Sequence, residues 1–202
     1  MQNVGLYALL ALLAFAALFA LWPSPGVGRA QTAAGLQGVH LNLYPSRDPD
    51  AVWSFDAAHV SSDTLTGITE LSGLSAGQRT LRDKDAAGAY TGRQHLDATL
   101  STPSLTIDAQ DNLLTPRARL RLVQQCADID LTGTADQPVR IEQGAGFSAA
   151  QAVVASPYLT GHLSNLRMDF QFNILAAGQD SNVGAPLDAT EQCRNGVVVP
   201  LT

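Results

Sequence analysis

The chain begins with an unbroken apolar run and then switches to short alternations. Val4 to Trp22 reads VGLYALLALLAFAALFALW and carries no charge. A helix of that length spans about 28 Å, close to the ~30 Å hydrocarbon core of a bilayer. Such a helix satisfies its own backbone, as a membrane requires. It has no polar face of the kind that a core helix of a soluble domain carries, and Pro23, Pro25 and Gly26 end it. Residues 1–25 are therefore predicted to be an N-terminal membrane anchor or uncleaved signal. A cleaved signal is the competing reading, with sites after Ala30 or Ala34, but MQNVG has no Lys or Arg and the apolar run exceeds a signal core.

Residues 26–38 are small, polar and Gly/Ala-rich, which predicts a linker. Alternation then sets in. Val39, Leu41 and Leu43 share one face, and after the turn PSRDPD so do Trp53, Phe55, Ala57 and His59. These two runs predict a hairpin. A short strand broken at Gly67 and Gly73 follows, and residues 75–92 read as a loop whose charges Arg82, Asp83, Lys84 and Asp85 sit at a solvated tip. Strand periodicity returns with Leu96, Ala98 and Leu100, then Leu105 and Ile107, then a turn at Asp111-Asn112. In Arg117 to Val123, Arg117, Arg119 and Arg121 point one way and Ala118, Leu120 and Leu122 the other. Asp128 and Asp130 alternate with Ile129 and Leu131, so Arg119/Arg121 are expected to face Asp128/Asp130 across a hairpin. The strongest alternation is Asn165 to Leu175, with Leu166, Met168, Phe170, Phe172 and Ile174 on one side. Residues 176–202 read as a C-terminal tail with a last short strand at Val197 to Val199.

Turns every eight to twelve residues, and no helix beyond the anchor, predict an all-β sandwich, roll or barrel over residues 39–175. Leu-Thr-Gly recurs at Leu65-Thr66-Gly67, Leu131-Thr132-Gly133 and Leu159-Thr160-Gly161, a weak repeat consistent with stacked, similar β-units. A stack of this kind exposes strand edges at its ends, through which one module can join another.

The charge balance narrows the partners. The net charge is −6 with a pI near 5.0, and no basic patch suited to nucleic acid is present. Cys126 and Cys193 are the only cysteines. Outside the cytoplasm a pair suggests a disulfide that would staple the tail to the middle of the domain; two free, buried thiols are the alternative. No nucleophile elbow, zinc-protease helix, Walker loop or dinucleotide fingerprint occurs, and His40, His59, His95 and His162 are scattered. No enzyme, metal or cofactor is therefore expected.

A short N-terminus, one apolar anchor, a small linker and short strands around D-x-L-T-G-like turns resemble the lipopolysaccharide-export bridge family, LptC and its relative LptA. The opening hairpin, VHLNLYPSRDPDAVWSFDAAHV, looks like that family's apolar strand, Tyr-Asp-Pro turn and Trp-containing strand. The resemblance covers most of residues 1–175 diffusely. The chain departs from the family in its uncharged N-terminal flank, its long 75–92 segment and its extra tail.

The resemblance implies a twisted antiparallel β-jellyroll of the OstA-like kind, joined edge to edge to other β-jellyroll envelope proteins. It further implies an apolar groove for a lipid or glycolipid amphiphile, with an inner-membrane transporter as a further partner. In such a roll Leu120, Leu122, Ile129, Leu131, Met168, Phe170 and Phe172 would line the trough, at about 0.8 kcal/mol per buried methylene of a bound chain; the same residues would equally serve as a packed core. The expected place is the cytoplasmic membrane, single-pass, with the C-terminal domain in the periplasm or outside the cell. A structural or adhesive envelope protein with no lipid transfer is the alternative, and a closed, well-packed sandwich would favour it.

Overall fold

The computed structural model describes residues 33–186 and 190–201; the predicted anchor lies outside them. Among the described residues no helix is long and apolar enough to cross a membrane, and all the regular structure is antiparallel β.

Four long strands come first: β1 (Ala33–Leu43), β2 (Ala51–Asp63), β3 (Ile68–Lys84) and β4 (Tyr90–Ser101). Short ones follow: β5 (Ser104–Ile107), β6 (Leu113–Thr115), β7 (Arg117–Leu122), β8 (Ala127–Thr132) and β9 (Val139–Glu142). A second long pair, β10 (Gly146–Ala155) and β11 (Thr160–Met168), leads into β12 (Ile174–Ala176), β13 (Asn182–Gly184), β14 (Glu191–Arg194) and β15 (Val197–Pro200).

Two strands organise the whole. One edge of β3 is taken by β2; its other edge gives residues 69–72 to β5 and residues 77–84 to β4. β10 repeats the scheme. β11 takes one edge, while the other gives residues 146–148 to β9 and residues 151–155 to β8. Two arms, β4-β7-β8 and β5-β6-β9, thus run from β3 to β10 and close an eight-stranded barrel. A strand that leaves one sheet and enters the other is how such a barrel turns its corners.

The corners are written into the backbone. In β2 the buried positions run Trp53, Phe55, Ala57 and then Val60, so the alternation reverses after Ala57. Gly38 and Gly73 flank Ala58 in the register at that point, with φ of 60° and 64°. Glycine reaches such angles without steric cost, and a Cβ on Gly73 would come within 2.7 Å of the Ala58 Cβ. The other corner reverses between Ala149 and Ala152 on β10 and between Leu163 and Leu166 on β11. There Asn165, at φ 46°, takes the left-handed conformation that asparagine tolerates.

The interior is filled. Trp53, Phe55, Leu113, Leu120, Leu122, Ile129, Ile141 and Leu166 are fully buried in one cluster. At one end Trp53 packs against Phe170, and the Trp53 Nε1 donates to Gln143 Oε1 at 2.9 Å. Arg79, only 4% exposed, pairs there with Asp48 at 2.6 Å and with Asp97, and its guanidinium lies 4.1 Å from the Phe170 ring centroid.

Several sequence expectations give way here. β1 begins at Ala33, so it takes in the last six residues of the predicted linker, whose glycines hide the alternation. Residues 75–92 are mostly strand; only residues 85–89 turn. Their inward positions carry Gly77 and Arg79 rather than apolar residues, so no alternation is visible. His59 faces solvent and Val60 the core because of the corner at Ala58. A register shift between Arg79 and Thr80 leaves Leu96 36% exposed while Ala98 and Leu100 stay buried. The predicted strand Asn165 to Leu175 stops at Met168, and the chain reverses through residues 169–172, where Phe172 has φ 71°. Ile174 lies on β12 and is exposed.

Candidate docking edge and apolar rim

The seven side chains predicted to line a trough sit mostly in the core. Leu120, Leu122 and Ile129 are 0% exposed, Leu131 and Met168 1%, and Phe170 4%; Phe172 is half-buried. Leu120 stands opposite Ile129 in the β7/β8 register, and Met168 opposite Phe147 in β10/β11. The interior therefore uses these residues as packing. The charges outside β7/β8 stand as expected: Arg119 faces Asp130 at 3.6 Å and Arg121 faces Asp128 at 3.2 Å.

Sequence reasoning expected open strand edges at the ends of the stack without placing them; one lies at the rim formed by β1. This strand pairs with β2 along one edge, and among the described residues no strand lies on its other edge. Its sequence, AAGLQGVHLNL, has no Lys, Arg, Asp, Glu or Pro. Those are the residues that usually blunt an open edge against strand addition. Val39, Leu41 and Leu43 are half-buried against the core, opposite Ala57, Phe55 and Trp53. On the other face His40 Nδ1 meets Asp56 at 2.7 Å, and Ser54 Oγ donates to Asn42 Oδ1 at 2.7 Å.

Beyond Gly38 a second apolar row crosses four strands. Leu36 pairs with Val60, Val60 with Leu71 and Leu71 with Leu105. Leu105, Leu71 and Val60 are buried, whereas Leu36 is 56% exposed, so the row runs from the core to the open edge. A groove of about 570 Å³ crosses these strands, and its lining includes Leu36, Gln37, His59, Glu70, Ser72 and Thr106. It is amphipathic. The only sequence signal for this rim was the alternation of Val39, Leu41 and Leu43, which does not distinguish an edge from a covered strand.

The predicted charged tip is a small ion-pair cluster. Lys84 Nζ reaches Asp50 at 2.7 Å, and Tyr90 Oη donates to the same carboxylate at 2.8 Å. These contacts, Lys84 first, hold the Asp50 carboxyl below its ordinary range and push the Lys84 ammonium up. At the Asp108 turn, burial works to raise the carboxyl. Hydrogen bonds from Asn112 and Gln110 outweigh it and bring the group below its ordinary range.

Cys126 and Cys193 are joined in a disulfide with Cα atoms 5.6 Å apart. It fastens β14 to the turn between β7 and β8, and the Cys193 backbone N–H donates to Tyr158 Oη at 2.9 Å. Compared with known proteins, the chain matches no family model and no curated protein.

Proposed function

We propose that this chain is a membrane-anchored, extracytoplasmic β-jellyroll that joins another β-jellyroll through β1 and helps to pass an envelope lipid or glycolipid along the joined rim. The observation that carries this reading is the open, unblunted edge of β1 with its half-buried leucines. An incoming strand would satisfy the free backbone groups of β1 and extend the apolar strip Val39, Leu41, Leu43 into the partner. The acyl contact is assigned to that strip and to Leu36, in place of the buried interior. The anchor at residues 1–25 and the resemblance to the lipopolysaccharide-export bridge family support a place at the cytoplasmic membrane with an inner-membrane transporter nearby.

A second reading is a structural envelope domain with no lipid transfer. It is favoured by the packed interior, where Leu120, Leu122 and Ile129 are fully buried.

Photo-crosslinking in cells separates the two, with a benzophenone residue at Leu36 and at Leu41 and a buried control at Leu120. A lipid or glycolipid adduct at Leu36 or Leu41 but not at Leu120 supports transfer along the rim. Protein adducts alone leave the structural reading. No adduct at either rim position, in folded protein, overturns the docking edge.

A further inference from the structure

The barrel has two sheet ends, and they are treated differently. β1 is open. The outer edge of β11 is covered by the chain's own C-terminal segment, β12 at one end and β13 at the other. We infer that this segment is a built-in edge cap that keeps the sheet from growing at β11, and that its release would let β1 of a second copy add there.

The fit has the marks of a specific seat. β12 and β13 are only three residues each, too short to hold an edge by ladder bonds alone. The middle of β11 supplies the rest through Ser164, which is buried. Its carbonyl accepts from the Gly178 N–H at 2.7 Å, its N–H donates to Ser181 Oγ at 3.1 Å, and its hydroxyl donates to Asp180. Two glycines make room. A Cβ on Gly161 would fall on the Asn182 carbonyl and crowd Val183; one on Gly178 would fall on the Ser164 hydroxyl. Neither glycine has a left-handed φ, so closeness alone explains them. Farther on, the Cys126–Cys193 bond ties the segment back to the barrel.

The identity of the incoming strand rests on the reading of β1 as a docking edge; the cap itself does not. β1 and β11 lie at opposite ends of one continuous sheet. Adding β1 of one copy to β11 of another is a head-to-tail contact, which grows a filament unless its rotation closes a ring. With the cap seated the protein presents one joining edge; with it released it presents two.

The test uses the full chain in detergent micelles, followed by sedimentation at several concentrations. The cap-release variant combines Gly161→Val with Cys126→Ala and Cys193→Ser, and hydrogen exchange at the β11 amides checks that the cap has lifted while β2 and β10 stay protected. The native chain is expected to stay at one mass across the series. The variant is expected to at least double its weight-average mass as concentration rises. Adding Leu41→Pro to it blocks strand addition at β1. If that change returns the variant to one mass, both the cap and the incoming β1 stand. If assembly persists, the cap stands and β1 is not the incoming strand. A variant whose β11 amides exchange freely, whose core stays protected and whose mass does not change overturns the cap.

Discussion

Trp53 on β2 and Gln143 after β9 share a buried hydrogen bond of 2.9 Å that spans ninety residues of sequence. The Gln143 amide also donates to the Asp111 carbonyl at 3.1 Å, so one side chain ties the β2 indole to the turn between β5 and β6. Gln143→Leu would orphan the indole N–H, at about 1–3 kcal/mol. Urea unfolding is expected to shift to lower midpoint with its slope unchanged. Trp53→Phe in the same background should recover part of that loss, because the orphaned donor is then gone.

Among the described residues Arg79 is the one buried cation of the core, and Asp48 and Asp97 both face it with side chains 12% exposed. Removing one side of a buried ion pair leaves charge without compensation. Arg79→Met is expected to destabilise by about 3–5 kcal/mol. Asp48→Asn and Asp97→Asn added to it should restore much of the difference, and a denaturation series across the four proteins reads this directly.

Gly73 tests the corner. Gly73→Ala meets both a left-handed φ and the Ala58 Cβ, so a loss of roughly 1–3 kcal/mol is expected. Gly88 has φ 81° but open space around it, so Gly88→Ala carries the backbone term alone and should lose less. Equal losses would show that the Ala58 contact adds nothing.

The disulfide closes a loop between positions 67 apart in sequence. In the chain-entropy account it stabilises by about 4 kcal/mol. Cys126→Ala with Cys193→Ala should lower the thermal midpoint by that measure, and hydrogen exchange should quicken at the barrel core amides that open only by global unfolding as well as at the residues after β11. Faster exchange after β11 alone, with the midpoint unchanged, would show that the bond is only a local tether.

Asp50, Asp63 and Asp108 all have carboxyls below the ordinary 3.8. For Asp63 the main cause is the Leu65 backbone N–H. A depressed folded value stabilises above the unfolded one. That contribution is full above about pH 4 and fades as pH falls through the folded values. Lys84 runs the other way: its value is raised from 10.5, so its contribution is full below that and fades as pH climbs past it. The stability curve is expected to fall at both margins, and Asp50→Asn should flatten both, since Asp50 and Lys84 hold each other. Asp108→Asn should flatten only the acid side.

Strand content was legible wherever an inward position carried an apolar side chain, as in Ala118, Leu120 and Leu122 or Ile129 and Leu131. The Arg119–Asp130 and Arg121–Asp128 pairs followed from that alternation. It failed where chemistry replaced hydrophobicity. Gly77 and Arg79 face inward on β3, so a strand read as a loop. It failed again at the corners, since a reversal such as Ala57 to Val60 goes with glycines on the two neighbouring strands and leaves no mark of its own in β2. The place of the rim at β1 was hidden too: an edge is defined by what does not pair with it.

Because β3 and β10 each belong to both arms of the barrel, neither arm has a sheet of its own. Melting β4-β7-β8 would strip half an edge from both shared strands, and with it the support of β5-β6-β9. The domain is thus expected to unfold as one cooperative unit. The strands of the two arms also interleave in the chain, so no single cut parts them, and a cut between β9 and β10 should yield two unfolded fragments rather than two smaller domains.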